Sequence, residues 1–247
     1  MSGHSKWHNI KLKKGKVDAQ RGTLFTKLSK EIILAAKNGS LDPDSNYRLK
    51  MAVDKARANN MPQDNIKRAI GRATGGAGEK EIEEIRYEGY GPAGIAVIVD
   101  AATDNRNRTA SELRFLFSRN DGSLGETGSV GWMFASRGLI EVDPGRLDED
   151  ALTEKALVEG VIDVRFGEPA EVVTEPQALM AVKAALEEGG LHVRSAELAM
   201  EPTQTTRPAD VDAEKVLGFL DALEEHEDVQ RVYSNADFDE AQLEALA

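Results

Sequence analysis

A glycine-rich stretch, Thr74-Gly75-Gly76-Ala77-Gly78, divides this chain into two parts with different hydrophobic periods. Before the stretch, apolar residues recur every three or four positions, which is the period of an amphipathic helix. After it, short apolar runs that are typical of strands alternate with helical segments. The glycine composition itself is typical of a linker. We therefore predict an α+β protein in which a helical part and a mixed part are separate, with residues 74–81 joining them.

The part before the linker predicts a small helical bundle over residues 18–73. Its first helix ends near Gly39, a helix-stop residue, and carries one apolar stripe made of Leu24, Phe25, Leu28, Ile32, Ala35 and Ala36. The second helix runs from about Asn46 to Asn60, and the third begins near Pro62, a residue suited to a first helical turn.

The predicted bundle has a basic exterior. Lys27, Lys30 and Lys37 fall away from the apolar stripe of the first helix, so they should face solvent or a ligand. Arg68 and Arg72 are four residues apart on the third helix and share one of its faces.

The part after the linker predicts two ferredoxin-like domains. Residues 138–202 give the order β-α-β-β-α-β, the split arrangement of that fold. Residues 82–137 and 203–247 supply predicted strands at Ile95–Val99, Ser129–Phe134 and Val229–Tyr233, with helices at Thr109–Arg119 and Val211–Glu224. Together they should form a second, discontinuous β-α-β-β-α-β unit in which the 138–202 domain is inserted.

Charge is distributed as unevenly as hydrophobicity. The net charge is −12, yet residues 1–72 hold 16 Lys and Arg against 6 Asp and Glu, while the remaining 175 residues hold 15 against 37. A sign asymmetry of this kind predicts a basic interaction module attached to an acidic body that repels phosphates. The alternative is that the basic residues only offset the acidic body within the molecule, which would explain part of the excess.

Composition also excludes several classes of protein. There are no cysteines, so disulfides, thiolate nucleophiles and cysteine-based metal sites are excluded. No apolar run approaches the ~20 residues of a membrane span, and the start has no signal-peptide core. We therefore expect a cytoplasmic monomer that has no membrane partner, no small-molecule substrate and no cofactor.

The basic arm, residues 1–17, gives the strongest chemical signal. It combines Trp7 and His8 with five lysines, Lys6, Lys11, Lys13, Lys14 and Lys16, and has little apolar surface to bury. Cations beside an aromatic ring hold single-stranded or irregular RNA through phosphate contacts and base stacking. The alternative is that Trp7 docks on the body of the protein as a packing anchor.

A second candidate lies at Thr103-Asp104-Asn105-Arg106-Asn107-Arg108-Thr109, which joins a predicted strand to a helix. Asn or Thr at this place would cap the helix, and Arg106 and Arg108 could grip a phosphate near its positive end. The favoured alternative is a structural elbow whose arginines pair with acidic groups.

No motif argues for an enzyme. Gly89-Tyr90-Gly91-Pro92-Ala93-Gly94 matches a dinucleotide-binding pattern, but it precedes a strand and contains proline, so we predict a turn. His4 and His8 have no third metal ligand in view, and His192 and His226 are isolated in the acidic half. We therefore predict no metal site and no catalytic residues.

Several of these segments carry a resemblance to the YebC family. The chain opens with Gly3-His4-Ser5-Lys6-Trp7-His8-Asn9-Ile10-Lys11, continues with Tyr87-Glu88-Gly89-Tyr90-Gly91-Pro92 and the 103–109 segment, and closes with Asp228-Val229-Gln230-Arg231-Val232-Tyr233-Ser234-Asn235. The likeness extends over essentially the whole chain. One departure is Asn120-Asp121-Gly122, where a Lys-Gly-Gly-like turn is more usual.

The resemblance implies three domains around a cleft and a protein long described as a probable DNA-binding transcriptional regulator. Other members, including the mitochondrial translational activator of cytochrome oxidase, are linked to ribosomes and to the relief of stalling at proline runs. The helices here show no clear base-reading helix-turn-helix, and their lysines suit phosphates better than bases. We therefore favour a ribosome-associated, rRNA-binding translation factor, with a DNA-binding regulator as the alternative and an enzyme as the third hypothesis.

Overall fold

The structure is a computed structural model that describes residues 21–75, 80–239 and 241–243. Three helices come first: α1 (Arg21–Lys37), α2 (Tyr47–Ala58) and α3 (Gln63–Arg72). The side chain of Asn46 caps α2 by accepting a hydrogen bond from Leu49 N, and Pro62 is the N-cap of α3 and not a residue of its first turn. The three helices share one apolar cluster, in which Leu28, Ile32, Leu49 and Ile66 are buried.

The first sheet has the strand order β3-β1-β2-β8, and all of its pairs are antiparallel. Its elements are β1 (Glu83–Tyr90), β2 (Ala96–Thr103), α4 (Arg106–Arg119), β3 (Ser123–Leu124), α7 (Asp210–Glu225) and β8 (Val229–Ser234). Helices α4 and α7 cover one face, where the rings of Phe117 and Phe219 meet edge to face with centroids 4.9 Å apart.

The second sheet has the order β5-β6-β4-β7 and is also antiparallel. Its elements are β4 (Phe134–Asp143), α5 (Glu149–Ala156), β5 (Val161–Arg165), β6 (Ala170–Thr174), α6 (Leu179–Glu188) and β7 (His192–Pro202). All of them lie between β3 and β8 in sequence. The chain enters the second sheet and leaves it at neighbouring points. Phe134 pairs with Pro202, and Thr203 N donates to Met133 O over 2.8 Å.

The predicted fold class is confirmed: N-terminal helices precede two four-stranded antiparallel sheets. The second sheet has the predicted β-α-β-β-α-β order. In the first sheet the chain order is β-β-α-β followed by α-β, because β1, which the sequence analysis did not predict, forms a hairpin with β2. Its strand positions nevertheless match those of a ferredoxin-like sheet.

The predicted strand at Ser129–Phe134 was wrong. Residues Gly131–Met133 form a 3-10 turn, and β4 begins only at Phe134. The reason is the buried carboxylate of Glu88, which accepts hydrogen bonds from Gly128 N, Val130 N and Gly131 N at 3.0, 2.9 and 2.6 Å. Burial alone would raise the pKa of Glu88, but these three bonds outweigh it and lower that pKa. The loop therefore folds around a carboxylate instead of joining the sheet.

The glycine motif at 89–94 is a turn, as predicted. It connects β1 to β2 in a hairpin, with a 3-10 turn at Pro92–Gly94 and left-handed backbone at Ala93 (φ 56°) and Gly94 (φ 72°). Since a strand and not a helix follows it, no helix N-terminus faces the loop to bind pyrophosphate.

Candidate nucleic-acid interface

The outer face of α3 is an accessible cationic surface of the helical part. Ile66 and Ala69 point into the apolar cluster, while Lys67, Arg68 and Arg72 are exposed. Among the described residues, Arg68 donates to Asn65 Oδ1 in its own helix, over 3.3 Å. Arg68 and Arg72 are four residues apart and share one side of the helix, and Lys67 is exposed next to Arg68; we call these three cations the ridge. Lys67 belongs to this ridge although the sequence analysis did not single it out.

Helices α2 and α3 are joined by a turn of only four residues, 59–62. Asn60 adopts left-handed backbone in this turn, with φ 58°. A short turn between two helices is the connection found in helix-turn-helix motifs, whose second helix enters a DNA groove. The exposed ridge of α3 is therefore the surface that such a motif would present to nucleic acid.

The cations of α1 are placed differently from the expectation that they face solvent or a ligand. Lys27 Nζ donates to Glu224 O at the end of α7. Lys30 Nζ donates to Glu227 O over 3.0 Å and also pairs with Asp228. The periodicity correctly placed both lysines off the apolar stripe, but the side they occupy is covered by the segment that joins α7 to β8.

Lys37, at the end of α1, is exposed but also has intramolecular partners. Its Nζ pairs with Glu81 and lies 3.5 Å from Ile82 O, so it contacts the chain just before β1.

Asp228 lies at the centre of the region where α1 contacts the segment that joins α7 to β8. Its carboxylate is fully buried, with 0% of the side chain exposed. It accepts hydrogen bonds from Arg108 Nη2 at 2.9 Å and Thr109 Oγ1 at 2.6 Å, in addition to Lys30. Burial alone would raise the pKa of Asp228, but the bonds from Lys30, Thr109 and Arg108 outweigh it and hold that pKa well below its ordinary range. Asp228 therefore ties α1 and α4 to the start of β8.

The two arginines after β2 have different surroundings. Asn105 caps α4, as the sequence suggested for Asn or Thr, by accepting from Arg108 N over 3.2 Å. Arg108 is paired with Asp228 and, at 3.2 Å, with Asp104. Arg106 is 69% exposed and reaches Glu83 only at 3.9 Å. Arg108 is thus occupied as the elbow alternative describes, while Arg106 is accessible to an anion near the N-terminus of α4.

The arm candidates Lys6, Trp7, His8, Lys11, Lys13, Lys14 and Lys16 lie outside the described residues, as do His4 and the rest of residues 1–20. Among described aromatic residues, Trp132 offers stacking surface that the sequence analysis missed. Its side chain is 67% exposed, and its Nε1 donates to Ser129 O over 3.2 Å on the loop held by Glu88. The sequence analysis missed Trp132 because it lies in the segment Ser129–Phe134, which was predicted to be a strand.

His226 is not isolated, contrary to expectation. Its Nε2 lies 3.0 Å from Glu112 Oε2, and its Nδ1 accepts a hydrogen bond from Asp228 N over 3.1 Å. The ligand atoms of Glu112, His226 and Asp228 lie within 4.8 Å of one another. Since Nδ1 is an acceptor, a neutral ring carries its proton on Nε2, which then donates to Glu112 instead of binding a metal. Asp228 is already neutralised by Lys30 and Arg108, so the group fits a hydrogen-bonded structural contact better than a metal site.

Comparison with known proteins decides the family. Residues 5–76 match the model of the TACO1/YebC protein N-terminal domain, and residues 82–236 match that of the TACO1/YebC second and third domain. The chain belongs to the TACO1/YebC family. The two matches together span nearly all of the chain, and they confirm the resemblance that its sequence motifs indicated.

Relatives of this TACO1/YebC chain are similar over their full lengths. A "probable transcriptional regulatory protein" of Pelotomaculum thermopropionicum is 51% identical over 243 residues, covering 97% of this chain and 100% of that protein. One of the same name from Natranaerobius thermophilus is 50% identical over 248 residues, covering 99% of each. A crystal structure of a conserved hypothetical protein from Aquifex aeolicus is 44% identical, with a TM-score of 0.83 over 91% of this chain and 93% of that one.

Within the parts of the chain that the structure describes, no helix is both long enough and apolar enough to traverse a lipid bilayer.

Proposed function

We propose that this protein is a non-enzymatic, nucleic-acid-binding regulator of gene expression, and that it acts as a translation factor in contact with ribosomal RNA. The exposed ridge of Lys67, Arg68 and Arg72 on α3 carries the proposal. This basic ridge belongs to a chain whose net charge is −12. Because the acidic body repels phosphates, a polyanion is steered to surfaces where exposed cations lie close together.

The basic arm extends this interface in the proposal. Its five lysines and Trp7 add phosphate contacts and a stacking ring to the ridge. Arg106 is a further exposed contact, whereas Lys27 supports the interface by fixing α1 to the end of α7, and Lys30 and Arg108 do so by fixing α1 and α4 to the start of β8. On the ribosome the protein would relieve stalling, for example at runs of proline, as the family resemblance implies.

A DNA-binding transcriptional regulator is the second candidate function. The names of the relatives and the four-residue turn between α2 and α3 favour it. Against it, Asn65 already accepts a hydrogen bond from Arg68 and Lys67 suits phosphates, although Arg68, Arg72 and Gln63 are of the residue types that can pair with base edges. Cations alone suit phosphates, which RNA and DNA share.

The contacts of Glu112, His226 and Asp228 support a non-enzymatic function. A general base needs a free lone pair aimed at a substrate, and both nitrogens of His226 already have protein partners. Asp228 is buried under three donors, so it has no access to a substrate.

Binding measured against salt concentration tests the proposal. We expect the protein to bind ribosomes and rRNA fragments more tightly than duplex DNA of equal length. If it contacts about six phosphates, the slope of log K against log salt should be roughly −4 to −5. Tighter binding to duplex DNA would favour the transcriptional alternative, and a slope near zero for both would contradict the proposal.

A matched pair of variants tests the role of the ridge. Lys67→Ala with Arg68→Ala should weaken rRNA binding, while Arg114→Ala with Arg119→Ala, which removes two exposed cations from α4, should not. Equal losses from both pairs would mean that net charge and not the ridge determines affinity. Synthesis of a reporter that contains a proline run, with and without added protein, then tests the role in translation.

A further inference from the structure

The second sheet has one face that its own helices do not cover. Alternate residues of β4 and β6, among them Ile140, Val142 and Val172, point to the cluster that includes α5 and α6. The residues between them point the other way and form cross-strand pairs, Leu139 with Val173 and Glu141 with Glu171. We call the surface of Leu139, Glu141, Glu171 and Val173, with Glu197 beside them on β7, the open face.

The centre of the open face is nevertheless buried. Val173 is 0% exposed and Glu171 is 8% exposed. Val173 belongs to none of the four apolar clusters of the described residues. Burial raises the pKa of Glu171, and the neighbouring Glu141 and Glu201 raise it further, against the opposing effect of Arg165. Side chains stand perpendicular to a sheet, so burial at its centre means that other groups lie over it; the side chain of Arg165, 3.7 Å from Glu171, supplies part of this cover, and a further segment can supply the rest.

From this burial and from charge we infer that the open face is the docking surface for residues 1–20 of the same chain. The open face and its border carry four carboxylates against three guanidinium groups, an excess of one negative charge: Glu141, Glu171, Glu197 and Glu201 against Arg137, Arg165 and Arg231. Residues 1–20 carry five lysines and one acidic residue, Asp18. They also contain Trp7, Ile10 and Leu12, which match the apolar centre at Leu139 and Val173.

The other segments outside the described residues do not fit the open face. Residues 76–79 are Gly-Ala-Gly-Glu and residues 244–247 are Glu-Ala-Leu-Ala, so neither contains a cation. Four extended residues span at most ~14 Å, about three strand spacings.

The length of the N-terminal segment also permits docking. Arg231 on β8 lies 4.0 Å from Glu31 on α1 and 2.9 Å from Glu197 at the border of the open face. Arg21 begins α1 ten residues before Glu31, a distance of ~15 Å along a helix. An extended segment of twenty residues spans up to about 66 Å, so residues 1–20 can reach the whole face.

Docking has a regulatory consequence that rests on the proposed function. The lysines that contact the open face are those proposed to contact nucleic acid, so one occupant excludes the other. The acidic face is then an internal competitor that a polyanion must displace, and it lowers affinity for weakly charged ligands more than for a dense array of phosphates.

Carbodiimide cross-linking of the full chain tests the docking directly, because this reagent joins amines only to carboxylates that they contact. Peptide mapping should find Lys6, Lys11, Lys13, Lys14 or Lys16 joined to Glu141, Glu171 or Glu197. The described pairs Lys215–Asp121 and Lys183–Glu187 are internal standards. Arm lysines joined only to other carboxylates, or to none while the standards form, would overturn the inference.

A charge-reversal pair separates docking from function. Glu141→Lys should reduce the arm cross-links at least fivefold, while Glu154→Lys, an equal charge change at an exposed position of α5, should not. Raising salt to 1 M should remove the cross-links from the unaltered chain too, which provides the same test without a substitution. Unchanged cross-links in both experiments contradict docking.

The same pair then tests competition. Glu141→Lys should bind rRNA fragments about threefold more tightly than Glu154→Lys at low salt. If the cross-links are lost but affinity is equal, docking stands and competition is wrong. If neither protein binds RNA at all, the proposed function fails while the cross-links still decide the docking.

Discussion

Helices α1 and α3 both carry cations outside their apolar faces, yet the cations of α1 contact other parts of the chain and those of α3 face outward. On α1, Lys27 contacts the end of α7, and Lys30 contacts the segment between α7 and β8. On α3, Lys67 and Arg68 face outward, and within the described part of the chain Arg68 donates to its own helix. The helical period is the same in both cases. What differs is whether another part of the chain packs against that side of the helix.

The comparison shows why the number of Lys and Arg residues in a segment overestimates the number of cations that a ligand can reach. A cation that pairs with a buried carboxylate contributes to the folded structure, whereas an exposed cation is available to a phosphate. Asp228 accounts for much of the difference, since it binds Lys30 and Arg108 together. The two helices should therefore respond oppositely to mutation: the contacts of α1 should affect stability, and those of α3 should affect binding.

The largest expected effect is on stability. Asp228→Ala removes the shared partner of Lys30, Arg108 and Thr109, and leaves two cations and a buried hydroxyl without their acceptor. Breaking a buried ion pair in this way costs about 3 kcal/mol in the free energy of unfolding. Denaturant unfolding should show this loss. Asp54→Ala, which breaks the exposed pair with Arg57, is the control and should change stability by less than ~0.5 kcal/mol.

The pH dependence of that stability sharpens the prediction. Because the pKa of Asp228 is lowered in the folded state, its contribution is fully present above the unfolded pKa of ~3.9 and is lost as pH falls through the folded value. The gap in stability between the unaltered chain and Asp228→Ala should therefore be constant from pH 7 to about pH 5 and should narrow below pH 4. A gap that widens in acid would contradict this assignment.

The next largest effect concerns the arm. A chain that begins at Asp18 lacks five lysines and Trp7 but retains every helix and strand described. Its affinity for rRNA or ribosomes should fall at least tenfold, about 1.4 kcal/mol, while thermal unfolding shifts by no more than a few degrees. If the truncated chain binds as tightly as the full one, the ridge on α3 carries the affinity alone.

Trp7→Ala determines what the ring contributes. A loss of affinity at unchanged stability supports base stacking, and a lower melting temperature at unchanged affinity supports packing against the protein.

A smaller effect is expected when variants of α3 and α1 are compared in the same binding experiment. Lys67→Ala with Arg68→Ala should reduce rRNA affinity roughly fivefold, about 1 kcal/mol, and make the salt slope less negative by ~1.4 for two lost phosphate contacts. Lys30→Ala should leave that slope unchanged and lower the stability instead, since Lys30 binds Asp228 and Glu227 O. A salt slope that changes equally in both variants would show that the two helices do not differ.

The second sheet could be predicted from sequence because its strands and helices follow one another within a single uninterrupted segment, 134–202, and the apolar pattern of each is clear. The first sheet could be predicted only in part: the predicted strands at 95–99 and 229–233 correspond to β2 and β8, but β1 and β3 were missed. Its strand β1 carries Arg86, which binds Asp100 at 2.7 and 2.9 Å, and Glu88, which holds a loop, so charged residues obscured the alternation. Its partner β3 has two residues, too few for any pattern. The domain boundaries themselves stay predictions.

The candidate site was predictable in part. The exposed positions of Arg68 and Arg72 follow from spacing alone, because helical geometry determines them. The contacts of Lys27, Lys30 and Arg108 do not, because Asp228 is 198 residues from Lys30 and 120 from Arg108 along the chain. Likewise, no local signal brings His226 to Glu112, which lies 114 residues earlier.

The smallest expected effect is that of metal ions, for which we predict almost none. Zinc would have to displace the proton of His226 from Nε2 and move it to Nδ1, where it would meet the N–H of Asp228. It would also compete with Lys30 and Arg108 for the carboxylate of Asp228. Equimolar zinc or a chelator should therefore leave both the melting temperature and rRNA binding unchanged, whereas Glu112→Ala should lower the melting temperature slightly by removing the acceptor of His226. A zinc-dependent rise in melting temperature that Glu112→Ala abolishes would show instead that Glu112, His226 and Asp228 form a metal site.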